Sequence, residues 1–283
     1  MYIYMNTYVY GDKICELTNI QFFPREYYDN YISKYNIANN IVYMHQVNKN
    51  KFIDLKNPII ITKVEYLDSI YDIINNLKTP FILITHYGGH NAGNHRIKEH
   101  PLLIKWYGQN MSVISHKTEA IPLGLENPHW KRTDIDFINK NKNNDKTELL
   151  YINLSTNTHN SRPGTINALK KKFTINKKVD WYTYIKELSR HKFCISPRGS
   201  GVDCHRTWEC LYLGVIPIVE KSVQMNYFQD LPILFVDNYN NIDVEFLNKM
   251  YDFFTNKSFN LDKLNINYWK TKIDDEFNNQ NII

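Results

Sequence analysis

The chain has 283 residues, a mass of 33.8 kDa, and 43% hydrophobic against 22% charged residues, enough apolar material for a large core and too much for a disordered protein. No apolar run reaches the roughly 18 to 20 residues that span a bilayer, and the opening MYIYMNTYVYGDK lacks the basic-then-apolar order of a secretory leader, so neither a signal peptide nor a transmembrane segment is expected. The formal charge of +5 comes from Lys and Arg scattered along the chain, which suits a phosphate-bearing ligand and argues against nucleic acid as a partner.

Cys15, Cys194, Cys204 and Cys210 contain no CxxC pair and are too few to staple a secreted scaffold. They are expected to be reduced thiols of a cytoplasmic protein. The 36 Asn and 21 Tyr are what AT-rich coding produces and bear on origin, not chemistry.

In chain order, NPIIITK (57–63) and PFILITH (80–86) are short apolar runs of buried-strand type, joined by the helical pattern VEYLDSIYDIINNL. This is a β-α-β unit. The polar stretch NKNKNNDKTE (139–148) cannot build a core and marks the expected domain boundary. Beyond it the rhythm returns. ELLYINLS, KFCIS, VIPIVE and PILFVD are predicted strands, and RPGTINALKKKF, DWYTYIKELSRH and CHRTWECLYLG are predicted helices. Strands alternating with helices imply α/β architecture with a doubly wound parallel sheet in each half. The expected division is residues 1–143, residues 144–262, and a terminal helix over 263–283 that packs back across the domains. Ligands in such folds sit at the carboxyl ends of strands, with a cleft between the halves as the default site.

The densest chemical signal is HKFCISPRGSGVDCHRTWECLYLGVIPIVEKS (191–222). A buried strand runs into Pro197-Arg198-Gly199-Ser200-Gly201, a turn whose backbone can approach a ligand, followed by a helix whose positive end favours phosphate oxygens. Arg198 and Arg206 bracket the turn, and one or both can grip a diphosphate through a planar fork. Glu209 lies three residues after Arg206 on the same helical face, either to accept from the hydroxyls of a ribose or to form an ordinary surface ion pair with Arg206. Asp203 is either part of that site or simply the helix N-cap. Neither GxGxxG nor GxxxxGK[ST] is present, so the residues themselves reach an anion-binding turn in an α/β domain.

That segment, with its order of P-R-G, acidic residue, H-R-x-W-E and G-x-I-P-I-V, resembles the carboxyl-terminal signature of exostosin-like glycosyltransferases of family 47, especially the small forms of large DNA viruses and algae. LIKWYGQN and KTEAIPLGLENPHW (103–130) are similar to a second segment of those proteins. NLSTNTHNSRPGTINAL resembles the entry to their donor domain, where Arg162 matches a phosphate-binding arginine. The resemblance implies a GT-B-type fold, with two Rossmann-like domains facing across a cleft. It implies transfer of a sugar from a UDP- or GDP-sugar to a hydroxyl of a glycan acceptor, with inversion and with no metal or cofactor beyond the nucleotide-sugar co-substrate. Its donor site would comprise Arg162, Arg198, Gly199, Ser200, Gly201, Asp203, His205, Arg206 and Glu209. The only D-x-D, Asp134-Ile135-Asp136, falls in a predicted helix and reads as a solvated face.

The general base is less defined. Relatives carry a carboxylate in the loop that here reads HYGGHNAGNHR (86–96), which has none. His86, at a predicted strand end, and Glu126 in GLEN are the candidates, with His90, His95 and Glu99 as further alternatives. Trp106 and Tyr107, and His129 and Trp130, are either a wall for stacking sugar rings or core aromatics. The alternative to an enzyme is a GT-B-fold protein that binds glycan or nucleotide without turnover.

Overall fold

The computed structural model describes residues 7–23, 41–43, 55–130 and 133–280. The chain divides into two compact units, one formed by Tyr8–Leu123 with the C-terminal segment that starts at Asn265, the other by Gly124–Leu264. Each is mixed α/β and built on a parallel sheet.

The first unit opens with helix α1 (Gly11–Glu16) and strands β1 (Ile20–Phe23) and β2 (Ile41–Tyr43). The expected β-α-β then appears: β3 (Ile59–Thr62), a single 3-10 turn, α2 (Leu67–Ile74) and β4 (Phe81–Thr85). Leu67, Ile70, Ile73 and Ile74 form the buried stripe of α2, as helical spacing requires. All five residues of β4 are buried, the mark of a parallel strand covered on both faces. β5 (Leu103–Gly108) and β6 (Thr118–Ala120) complete a sheet of order β2-β1-β3-β4-β5-β6. The order reverses between β1 and β3.

The second unit starts at Gly124, whose φ of 73° suits a residue without a Cβ. Its elements are α3 (Ile135–Asn141), β7 (Glu148–Tyr151), α4 (Arg162–Leu169), α5 (Trp181–Leu188), β8 (His191–Ile195), α6 (His205–Tyr212), β9 (Ile216–Glu220), α7 (Val223–Asn226), β10 (Leu234–Val236) and α8 (Val244–Thr255). The strands lie in sequential order β10-β9-β8-β7, all parallel, with no reversal.

Right-handed crossovers between sequential strands place their helices on one face. Here both faces are covered. Alternate residues Phe193, Ile195, Ile216 and Ile218 pack with Leu169 of α4 and Leu247 and Phe254 of α8. On the other face Tyr151 meets the Tyr184 ring of α5, and its hydroxyl donates to Glu187 at 2.9 Å.

The units separate at Leu123 and Gly124, ahead of the polar stretch. That stretch is held within the second unit: Asn144 donates to Ser189 Oγ at 2.8 Å, and Lys146 Nζ donates to the carbonyls of Ser189 and Leu213 at 2.6 and 2.7 Å. Polar composition here reflects side chains that tie backbone ends together, not a tether. The terminal helix α9 (Ile266–Gln280) packs back on the first unit, where Trp269 meets Tyr107 edge-on, Tyr107 donates to Glu276 at 3.0 Å and Lys272 pairs with Glu119 at 3.1 Å. Residues 281–283 of the expected terminal helix lie outside the described residues. Among the described residues no helix is long and apolar enough to cross a membrane.

Candidate functional site

At the carboxyl end of β7 the second unit opens a pocket of about 540 Å³. One wall is the segment Asn153–Thr156, another is Lys178, Trp181 and Tyr184 at and before the start of α5, and a third is the start of α6 with Cys204, His205, Arg206 and Glu209. Arg162, at the first position of α4, closes it.

Arg162 is 6% exposed, and it spends its donors on backbone: Nε donates to the Arg198 carbonyl at 2.8 Å, Nη1 to Ser155 at 3.1 Å and Nη2 to Pro197 at 3.1 Å. It therefore fixes the 197–201 turn. Burial presses its proton affinity down, Cys204 opposes this and Arg206 adds to it, yet a guanidinium keeps its charge. Gly199 lies against the clamp, where a Cβ would make van der Waals contact at 3.4 Å with Arg162 Nη2 and 3.6 Å with Cys204 Sγ. Its N–H donates to the Gly201 carbonyl at 3.0 Å. Ser200 is exposed and Gly201 buried.

Arg198 and Arg206 differ. Arg198 is half-buried and does not line the pocket, whereas Arg206 does. The Nε of each is buried without a hydrogen-bond partner. Burial works against the charge on Arg206, but the surrounding Tyr184, Cys194 and Glu209 outweigh it and hold the guanidinium above its ordinary range. Its plane centre lies 5.9 Å from the Tyr184 ring. The surface ion pair with Glu209, one of the two alternatives for that residue, is not what forms. Glu209 is 6% exposed, and its oxygens accept instead from Trp181 Nε1 at 3.1 Å and Tyr184 OH at 2.8 Å.

His205 lines the pocket with its Nδ1 2.8 Å from the Gly124 carbonyl. A carbonyl only accepts, so Nδ1 carries the proton and Nε2 is left as an acceptor. Asp203 is not the N-cap; Cys204 holds that position, without a side-chain cap. Buried at the turn, the Asp203 carboxylate accepts from Trp208 Nε1 at 2.8 Å and Gln224 Nε2 at 3.3 Å, so it braces α6 against α7.

The two candidate bases belong to different units and neither lines this pocket. His86 is buried at the end of β4, with Nε2 donating toward the Pro122 carbonyl at 3.2 Å and its ring edge-on to Tyr87. Glu126 is half-buried, two residues beyond Gly124. His95 turns out to be a cap: Nδ1 accepts from the Ile97 N–H and Nε2 lies 3.1 Å from Asp68. Asp134 likewise caps α3, accepting from the Phe137 N–H at 2.9 Å, while Asp136 is exposed. Trp106 and Tyr107 are core aromatics, but Trp130 is 42% exposed.

Sequence reasoning missed Trp181, Tyr184 and Lys178 on the facing wall. The signal was present in the one-turn spacing of Trp181 and Tyr184, which puts an indole N–H and a phenol on one helical face. Among the described residues no three His, Cys, Asp or Glu side chains gather as a metal site requires. No protein-family model matches the chain, and no curated protein matches it.

Proposed function

We propose that the protein is a nucleotide-sugar-dependent glycosyltransferase of GT-B type whose second unit holds the donor. The observation that carries this is the charge of the pocket. Arg162, Arg206 and the exposed Lys178 line it with the single carboxylate of Glu209, and Arg206 keeps a buried N–H without a hydrogen-bond partner. Leaving a buried cationic donor unpaired is costly, and a pyrophosphate diester supplies negatively charged oxygens to accept from it. The same groups would stabilise the diphosphate as it departs, aided by the amino end of α6.

On this reading the Arg162 clamp sets the turn, Arg206 grips phosphate and Glu209 accepts from the ribose. The acceptor hydroxyl would lose its proton to His86 or Glu126 as general base, with inversion at the anomeric carbon. The resemblance in residues 103–130 and 191–222 supports the sugar-transfer part, and the pocket supports the nucleotide part.

A thermal-shift series with UDP, GDP and their sugars tests it. A ligand that binds only the folded state at a hundredfold excess over its Kd stabilises by about 2.7 kcal/mol, several degrees in Tm. Arg206→Ala is expected to abolish that increment while the variant still folds. An increment of wild-type size in the variant would overturn the assignment.

A further inference from the structure

Lys and Arg occur along the whole chain, but their excess over carboxylates does not. Residues 149–179 carry six of the 34 basic residues, Arg162, Lys170, Lys171, Lys172, Lys177 and Lys178, and none of the 29 acidic ones, which leaves 28 against 29 over the rest of the chain. The five lysines fall within residues 170–178, between α4 and α5, and all are exposed. Lys172 is spent on structure, its Nζ donating to the carbonyls of Asn240 and Ile242 at 2.7 and 3.1 Å. Among the described residues no carboxylate pairs with the other four. The nearest in sequence, Asp180, is turned to cap α5, accepting from the Thr183 N–H at 3.1 Å and from its hydroxyl at 2.6 Å. One cation suffices to complement the carboxyl end of α4. Lys170 and Lys171 stand about 12 Å along that helix from Arg162 at the pocket end, and salt largely screens exposed charges over roughly 8 Å. An anion in the pocket therefore answers Lys178 and leaves most of the cluster without a counter-charge.

We infer that residues 170–178 are an electrostatic docking surface by which the second unit lies on an anionic lipid bilayer, bringing the pocket that Lys178 lines to the headgroups. The residue types choose among polyanions. All five cations are lysines, compact hydrated charges without the planar fork that grips one phosphate. The apolar residues between them, Phe173 and Ile175, pack against the core, so no ring faces outward to stack on a nucleic-acid base and nothing inserts among acyl chains. What remains outside is ammonium, which a plane of smeared negative charge attracts by nearness alone. No described helix is long and apolar enough to cross a membrane, and the association inferred is peripheral, reversible and weakened by salt. It holds whatever the pocket binds.

Flotation of the full chain with vesicles of phosphatidylcholine alone, and of phosphatidylcholine containing phosphatidylserine or phosphatidylglycerol, tests this. Binding is expected to both anionic mixtures alike, to fall as salt rises, and to be absent from phosphatidylcholine. Each lysine near such a surface strengthens partitioning about fivefold, so Lys170→Gln/Lys171→Gln/Lys177→Gln should weaken it about a hundredfold. None of these three lysines lines the pocket, and the urea midpoint and the nucleotide-dependent Tm increment should stay at their wild-type values. Lys56→Gln/Lys78→Gln/Lys270→Gln removes the same net charge from exposed positions of the first unit and should bind as the wild type does. Equal losses in the two triple variants would show attraction by net charge alone and overturn the inference. A wild type that ignores anionic vesicles would overturn it too, and retention by dextran sulfate or single-stranded DNA instead would name a soluble polymer as the partner. The nucleotide reading of the pocket stands or falls separately, on the thermal shift.

Discussion

The two units differ in which buried polar groups they leave without partners. In the first, Gln21 Oε1 and Gln109 Oε1 are unpartnered, and both are neutral amide oxygens. Several of its other buried polar groups close on one another: Thr62 Oγ1 donates to the Phe22 carbonyl, Trp106 Nε1 to Thr85 Oγ1 and Tyr107 to Glu276. In the second, the unpartnered atoms include the Nε of Arg198 and of Arg206, which belong to cations. A neutral acceptor left unpaired costs about 1–3 kcal/mol, and a charged group more. Strand order alone points the other way, because the sheet that reverses direction, where open α/β sheets hold ligands, is that of the first unit. The proposed donor site follows the charge, which reports on the chemistry of a ligand, whereas topology reports only on where a crevice forms.

The largest effect should come from Arg162, the residue on which the shape of the pocket depends. Arg162→Met removes the guanidinium that three carbonyls face, and leaving them buried should cost about 3 kcal/mol. Urea denaturation should show a lower midpoint, and the nucleotide-dependent Tm increment should vanish with the 197–201 turn. Arg162→Lys, which keeps the charge but not the three-way fork, should recover the increment only in part. A Met variant as stable as the wild type would show that the clamp is dispensable.

A smaller effect is expected in the first unit. Trp106 is fully buried with its indole N–H on Thr85 Oγ1 at 2.9 Å. Trp106→Phe deletes that bond and leaves a gap, at about 1–2 kcal/mol. Stability should fall while the Tm increment from nucleotide stays at its wild-type size. Loss of the increment would break the contrast, because it would make a core residue of the first unit part of nucleotide binding.

Much of the fold was legible because buried parallel strands announce themselves as short apolar runs; FILIT, KFCIS and VIPIVE each became the strand expected of them. β5 was not read as a strand because LIKWYG mixes charge with aromatics, and its Lys105 answers Glu276 from a helix more than 160 residues away. At the site, Arg206, Glu209 and His205 come together as expected because a single helix carries them. Arg162 and Asp203 were legible as residues but not as roles, since spacing shows neither which carbonyls a guanidinium meets nor that a carboxylate turns inward to an indole. Trp181 and Tyr184 were missed for a related reason: Glu209 had an obvious partner one turn away, and the tertiary partner won.

The last contrast concerns how the second unit keeps its pocket helices in place, and the expected effect is the smallest. Trp181 and Tyr184 ride on α5, Arg206 and Glu209 on α6, and Lys146 donates to Ser189 and Leu213, the residues that end those two helices. A cation suits two helix carboxyl ends, but burial lowers the lysine to about 8, with Cys210 opposing, against roughly 10.4 in an unfolded chain. Below pH 8 both states carry the proton and the fold bears the full burial penalty. Between the two values the unfolded chain holds a proton that the fold has released, so stability attributable to this residue rises with pH, and above them the penalty is gone. Other groups titrate in the same window, so the quantity to measure is the difference between wild type and Lys146→Met in urea denaturation at pH 7 and pH 9.5. That difference should move in favour of the wild type at the higher pH. A difference that stays flat or moves the other way would mean that the two carbonyls, and not burial, govern the ammonium, and that α5 and α6 are joined by a charge the fold fully tolerates.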